Sequence, residues 1–103
     1  MKTIRIILDY GAYPVWIYNE KDEFISNAMP EDVKDYENLD KIFKEIEEEY
    51  ESLFLNNQIE FDYIGFENEA DKEVFIDKIN KAVESLKENV GPEYKVKNPK
   101  LDL

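Results

Sequence analysis

Residues 3–18 read "TIRIILDYGAYPVWIY", and the fold turns on how this stretch is parsed. Ile4, Ile6 and Leu8 recur at period two within a largely β-branched run, which predicts a strand over 3–9. "PVWIY", residues 14–18, predicts a second strand. Between them "YGAY" contains Gly11, which can take the positive φ that a tight connection needs. Two such strands pair antiparallel. Successive side chains of a strand point to opposite faces, so Ile4, Ile6, Leu8, Val15 and Ile17 share one face. Trp16 and Tyr18 fall on the other, beside Ile7. With Tyr10 and Tyr13, four rings stand within ten residues, and the chain's only Trp is among them.

Outward from this hairpin, "NEKDE" (19–23) is a polar turn and "FIS" (24–26) a short third strand, giving a meander. "NAMPEDVKDYEN" is a loop with room for a helical turn after Pro30. The period then changes. Leu39, Ile42, Phe43, Ile46, Tyr50, Leu53 and Phe54 recur at three and four, which predicts an amphipathic helix with Asn38 as N-cap, ending near Asn56 and Asn57. "QIEFDYIGF" (58–66) alternates again, with Ile59, Phe61 and Tyr63 facing the helices and Glu60, Asp62 and Ile64 facing away. Asn68 caps a second helix whose stripe is Phe75, Ile79, Ala82, Val83, Leu86 and Val90, and Gly91 with Pro92 ends it. "EYKVKN" (93–98) is a last edge strand, its lysines discouraging further pairing. The expected fold is α+β, a mostly antiparallel sheet of 4–5 strands with two amphipathic helices on one face, in the order β-β-(β)-α-β-α-(β). Residues 1–98 form a single domain and 99–103 a loose tail.

Composition narrows the function. The chain has 103 residues, 25 Asp or Glu, 13 Lys or Arg and a net charge of −12. It has neither Cys nor His, so it lacks a disulfide framework, a thiolate and the commonest general base and metal ligand. Three glycines leave no phosphate loop, the serines have no His to activate them, and no run has the pattern of a calcium loop. The expectation is no enzyme, no catalytic residue, no cofactor and no metal. An acidic surface repels nucleic acid and anionic membrane and attracts basic proteins. No segment has the length of a membrane span or the character of a secretory signal, which places the chain in the cytoplasm.

The acids cluster. Residues 31–60 hold eleven Asp or Glu against three Lys, with Glu45 and Glu48 in the densest run. Tyr and Trp are favoured at interface hot spots. Tyr10, Tyr13, Trp16 and Tyr18 are therefore the expected anchors of a partner-binding surface, with Glu60 and Asp62 beside them on the open sheet face and Asp40, Glu45 and Glu48 steering a basic partner. In a second reading the same rings form a homodimer contact in an adaptor or regulatory subunit.

An acidic, Tyr-rich chain of one domain without His or Cys resembles the small immunity proteins of bacterial toxin systems. The resemblance implies a non-catalytic inhibitor that covers a basic toxin, often a nuclease. "YENLDKIF" (36–43) is similar to a segment of the barstar-like ribonuclease inhibitors, in which an acid enters the enzyme's active site. That likeness implies the role for Asp40 and sets Phe43 at the family's Trp. It departs in three ways: the family's Gly is missing between Tyr36 and Glu37, the second inhibitory acid falls on Lys44, and a hairpin, not a helix, follows the first strand.

Overall fold

The computed structural model describes residues 1–56 and 61–101. The opening stretch forms β1 (Lys2–Ile6) and β2 (Val15–Tyr18), paired antiparallel with Ile4 opposite Ile17 and Ile6 opposite Val15. The parity holds. Ile4, Ile6, Val15 and Ile17 are buried on one face, while Trp16 and Tyr18 are half-buried on the other. Gly11, at φ 79°, lies in the connection. β3 (Phe24–Ser26) continues the meander, with a register shift opposite Ile17 and Tyr18. Asn27 ties it down by donating to the carbonyls of Tyr13 and Val15.

The helices are α1 (Tyr36–Glu51) and α2 (Glu69–Asn89). α2 begins as its sequence predicts: Asn68 is extended and its Oδ1 accepts from the Asp71 amide at 2.8 Å. α1 starts three residues before its expected first residue. Asp35, at φ 60° and without a side-chain cap bond, is its N-cap, and Asn38 sits in the first turn, donating to Asp35 Oδ2 at 3.1 Å. Leu39, Phe43 and Ile46 of α1 meet Phe75, Ile79, Ala82, Val83 and Leu86 of α2 over the buried face of the sheet, in one apolar cluster. Both helices therefore cover that face. Full burial of each such side chain contributes about 1.5–3 kcal/mol.

Two further expectations are corrected. The first concerns the end of α1. It stops at Glu51, where Ser52 Oγ donates to the Glu49 carbonyl at 2.6 Å, and Phe54 leads a new strand, β4 (Phe54–Asn56). Leu53 and Phe54 stand three and four residues past Tyr50, a spacing that suits the next helical turn as well as a strand start. The second concerns 58–66. Its described part, β5 (Phe61–Tyr63), pairs antiparallel with β4 in a separate two-stranded ribbon and does not join the main sheet. Tyr63, expected to face the helices, is 43 % exposed. Ile59 and Glu60, with the side chains of Phe61 and Asp62, lie outside the described residues.

The place beside β1 goes to β6 (Tyr94–Val96), which runs parallel to it with Ile4 opposite Val96. The main sheet is thus four-stranded and mixed, in the order β3-β2-β1-β6. Its parallel pair comes from the passage of α2 across the core, a connection long enough for a parallel crossover. Leu101 is half-buried against the core. Among the described residues no helix is long and apolar enough to cross a membrane.

Candidate partner-binding surface

The β1–β2 connection lies along one flank of α1. Asp40, Glu47 and Glu51 recur at seven and four, which sets them on a single edge of the helix beside its buried stripe. Three contacts dock the connection there. Tyr13 donates from its hydroxyl to Asp40 Oδ1 at 2.8 Å. The Gly11 amide donates to Glu51 Oε2 at 2.9 Å. Tyr10 packs edge-on against Phe54, just past the helix, with ring centroids 5.2 Å apart.

Phe54 is the hub of a ring cluster. Tyr50 and Tyr63 also meet it edge-on, each at 5.1 Å. Tyr10 and Tyr63 present their edges to solvent there. At the other end of the flank Tyr36 is 40 % exposed. Tyrosines and carboxylates thus alternate along a strip: Tyr36, Tyr13 with Asp40, Glu47, Glu51, then Tyr10 with Tyr63. The 16 residues of α1 make it about 24 Å long at 1.5 Å per residue.

The charges differ in how far they are already neutralised. Lys44 pairs with Asp40 at 3.0 Å, and that bond holds the lysine above its ordinary range. Lys78 of α2 bridges Glu45 at 3.4 Å and Glu49 at 3.0 Å on the far flank. Glu37, Glu47 and Glu48 make no ion pair among the described residues. Glu47 is pushed above the usual carboxylate range, first by burial and then by the neighbouring Glu51 and Glu48. The helix keeps a net negative edge at a cost to itself, since like charges at these spacings destabilise by a few tenths of a kcal/mol.

Burial raises the Tyr13 hydroxyl far above its ordinary value of 10, and Asp40, as acceptor and as a charge, raises it further. The native state therefore holds this proton more tightly than the unfolded chain does. That contribution is complete below about pH 10 and is lost as pH rises beyond it, by up to about 1.4 kcal/mol per pH unit. Tyr13→Phe is expected to cost about 1 kcal/mol at neutral pH through the lost hydrogen bond. Urea denaturation at increasing pH should show this gap closing above about pH 10. A gap that widens there would refute the assignment.

The rings foreseen as one group are divided. Tyr10 and Tyr13 join the strip. Trp16 and Tyr18 lie on the outer sheet face, around Phe24, at 5.7 and 6.1 Å. Trp16 donates from Nε1 to the Ile7 carbonyl at 3.2 Å, and the Arg5 guanidinium stacks over Tyr18 while binding Asp22. Asp40 lies in the strip with both oxygens engaged. Glu48 is exposed next to Glu47, whereas Glu45 is turned toward α2. Glu60 and the Asp62 side chain lie outside the described residues. Phe54, Tyr63 and Glu51 were missed, and the seven-and-four spacing of Asp40, Glu47 and Glu51 is the one signal that pointed to the strip. Among the described residues no cluster of three or more potential ligands could hold a metal.

Residues 2–99 match the family model described as Serratia CdiI immunity protein-like. The match takes in every element of both sheets and both helices. The chain belongs to the Serratia CdiI immunity protein-like family. A comparison with curated proteins finds no match. CdiI-like membership gives the chain the character of a bacterial toxin-system immunity protein, as its acidity and rings implied, and such families are typically non-catalytic. The narrower barstar-like correspondence fares differently in geometry: Phe43, at that family's Trp, has no exposed surface.

Proposed function

We propose that the chain neutralises the toxin of a contact-dependent inhibition system by forming a one-to-one complex through the tyrosine–carboxylate strip. The observation that carries this reading is the strip itself, where exposed tyrosines stand beside carboxylates of which Glu47 and Glu51 make no ion pair among the described residues. The toxin surface it suits is basic, as the active face of a nuclease is. The carboxylates then occupy positions that nucleic-acid phosphates would take, and the tyrosines supply buried area and hydrogen bonds at the centre. Asp40 positions the loop through Tyr13 and adds to the field, while Glu47 and Glu48 steer. No bond is made or broken, and inhibition is occlusion.

Charge acts mainly on encounter. Titration of the adjoining toxin domain, followed by stopped-flow fluorescence, should give a one-to-one complex. Its association rate should fall by at least about tenfold between low and physiological salt. A salt-independent rate would remove the electrostatic part of the proposal, and absence of any complex would remove all of it.

The outer sheet face favours a second reading, self-association. There Phe24 is 56 % and Ile25 46 % exposed on the edge strand β3. Sedimentation at rising concentration decides it, since a monomer throughout retires the dimer. In either case the partner is a protein, and the cytoplasm is where the proposal sets the encounter.

A further inference from the structure

The ladder between β1 and β6 is short. Its last paired residues are Ile4 and Val96, and Lys97 then donates its amide to the Ile4 carbonyl at 2.9 Å. The chain continues through Asn98 to Pro99, which has no N–H with which to extend the ladder. A cavity of about 510 Å³ opens at this point, lined by Arg5–Leu8 on one side and Lys97–Leu101 on the other, with Tyr50 between.

The walls of this cavity run against the character of the molecule. In a chain with 25 acids and 13 bases, they carry Arg5, Lys97 and Lys100 and no carboxylate. Asp22 takes one nitrogen of Arg5, at 2.9 Å, but Arg5 Nε is enclosed and has no hydrogen-bond partner among the described residues. Lys97 and Lys100 make no ion pair among the described residues. The backbone N–H and C=O of Leu8 are also unbonded among them. A strand edge with an open donor and acceptor, flanked by two lysines without an ion pair among the described residues, is a surface to which a further strand can add.

We infer that this cavity binds an extended acidic segment of a partner protein. Such a segment satisfies three features together. Its backbone takes the N–H and C=O of Leu8 in the manner of an added strand. Its carboxylates meet Lys97 and Lys100. Its apolar side chains lie on Ile7 and Leu101, a contact that a phosphate group has no means to make. The site adjoins the α1 strip at Tyr50, takes the opposite charge, and does not depend on which toxin the strip binds.

The test is an amide-resolved NMR titration of the full chain with acetyl-Leu-Glu-Val-Asp-Leu-amide. The same peptide with Lys for both acids, and ADP, serve as the other arms. Saturable shifts centred on the Leu8 and Lys97 amides are expected with the acidic peptide only. The Lys97→Glu, Lys100→Glu double variant should bind about tenfold more weakly. Both lysines are exposed, so the variant keeps a dispersed spectrum that shows it is folded. The proposal is overturned if the Leu8 amide does not move, if the Lys-containing peptide shifts it equally, or if the double variant binds as the parent does. ADP saturating these amides without the peptide doing so would also overturn it, in favour of a small-anion site.

Discussion

Replacing Tyr10 and Tyr63 together by alanine is expected to weaken toxin binding by two to three orders of magnitude, or about 3–4 kcal/mol in all. The two rings flank Phe54 at the end of the strip, each meeting it at 5.1–5.2 Å. Their faces are already partly desolvated by the cluster, and their positions are fixed by packing. A partner that covers them gains area without ordering flexible side chains, which is why rigid aromatics dominate interfaces. The effect should lie in dissociation. By contrast, Glu37→Lys with Glu48→Lys should leave dissociation nearly unchanged and slow association, because these exposed groups stand beside the strip and act at a distance. Surface plasmon resonance with immobilised toxin separates the two. The prediction needs the variants folded, and both rings lie at the surface, so the circular dichroism spectrum should match that of the parent. If the double alanine variant binds within threefold of the parent, the strip is not the interface.

The second large effect is on stability. Phe43→Ala should cost about 3–5 kcal/mol, set against a total of about 5–15 kcal/mol for a domain of this size. Phe43 has no exposed surface and lies where the stripe of α1 meets the sheet. Truncation there leaves a cavity in the core cluster. Since about 1 kcal/mol shifts the midpoint of a domain this small by roughly 4–8 °C, calorimetry should record a fall of well over 10 °C. A partner-contacting role at this position would instead give a stable variant that fails to bind.

These two positions also show what the sequence discloses. Phe43 is legible because its neighbours at three and four are apolar, so periodicity alone puts it inside. The same holds for the face carrying Ile4, Ile6, Val15 and Ile17, and for α2, whose Asn68 cap and Gly91–Pro92 stop are local chemistry. The parity that sent Trp16 and Tyr18 to the outer face is local too. Tyr63 was misread because alternation tells which residues share a face and not what that face meets. Its strand left the main sheet once β6 had taken the place next to β1. Parallel pairing between the two ends of a chain leaves no turn residue as a signal. The strip itself depends on the docking of residues 9–13 against a helix some forty positions away, as in Gly11 on Glu51, and only the recurrence of acids beside the apolar stripe hinted at it.

The pairing of Lys2 with Tyr94 makes the main sheet depend on two segments far apart along the chain. One border of β1 stays bare until β6, far along the chain, docks beside it. A prematurely terminated product would expose a β-branched edge ready to recruit other chains. Closure of the main sheet is therefore paced by a contact between distant segments and not by the hairpin alone.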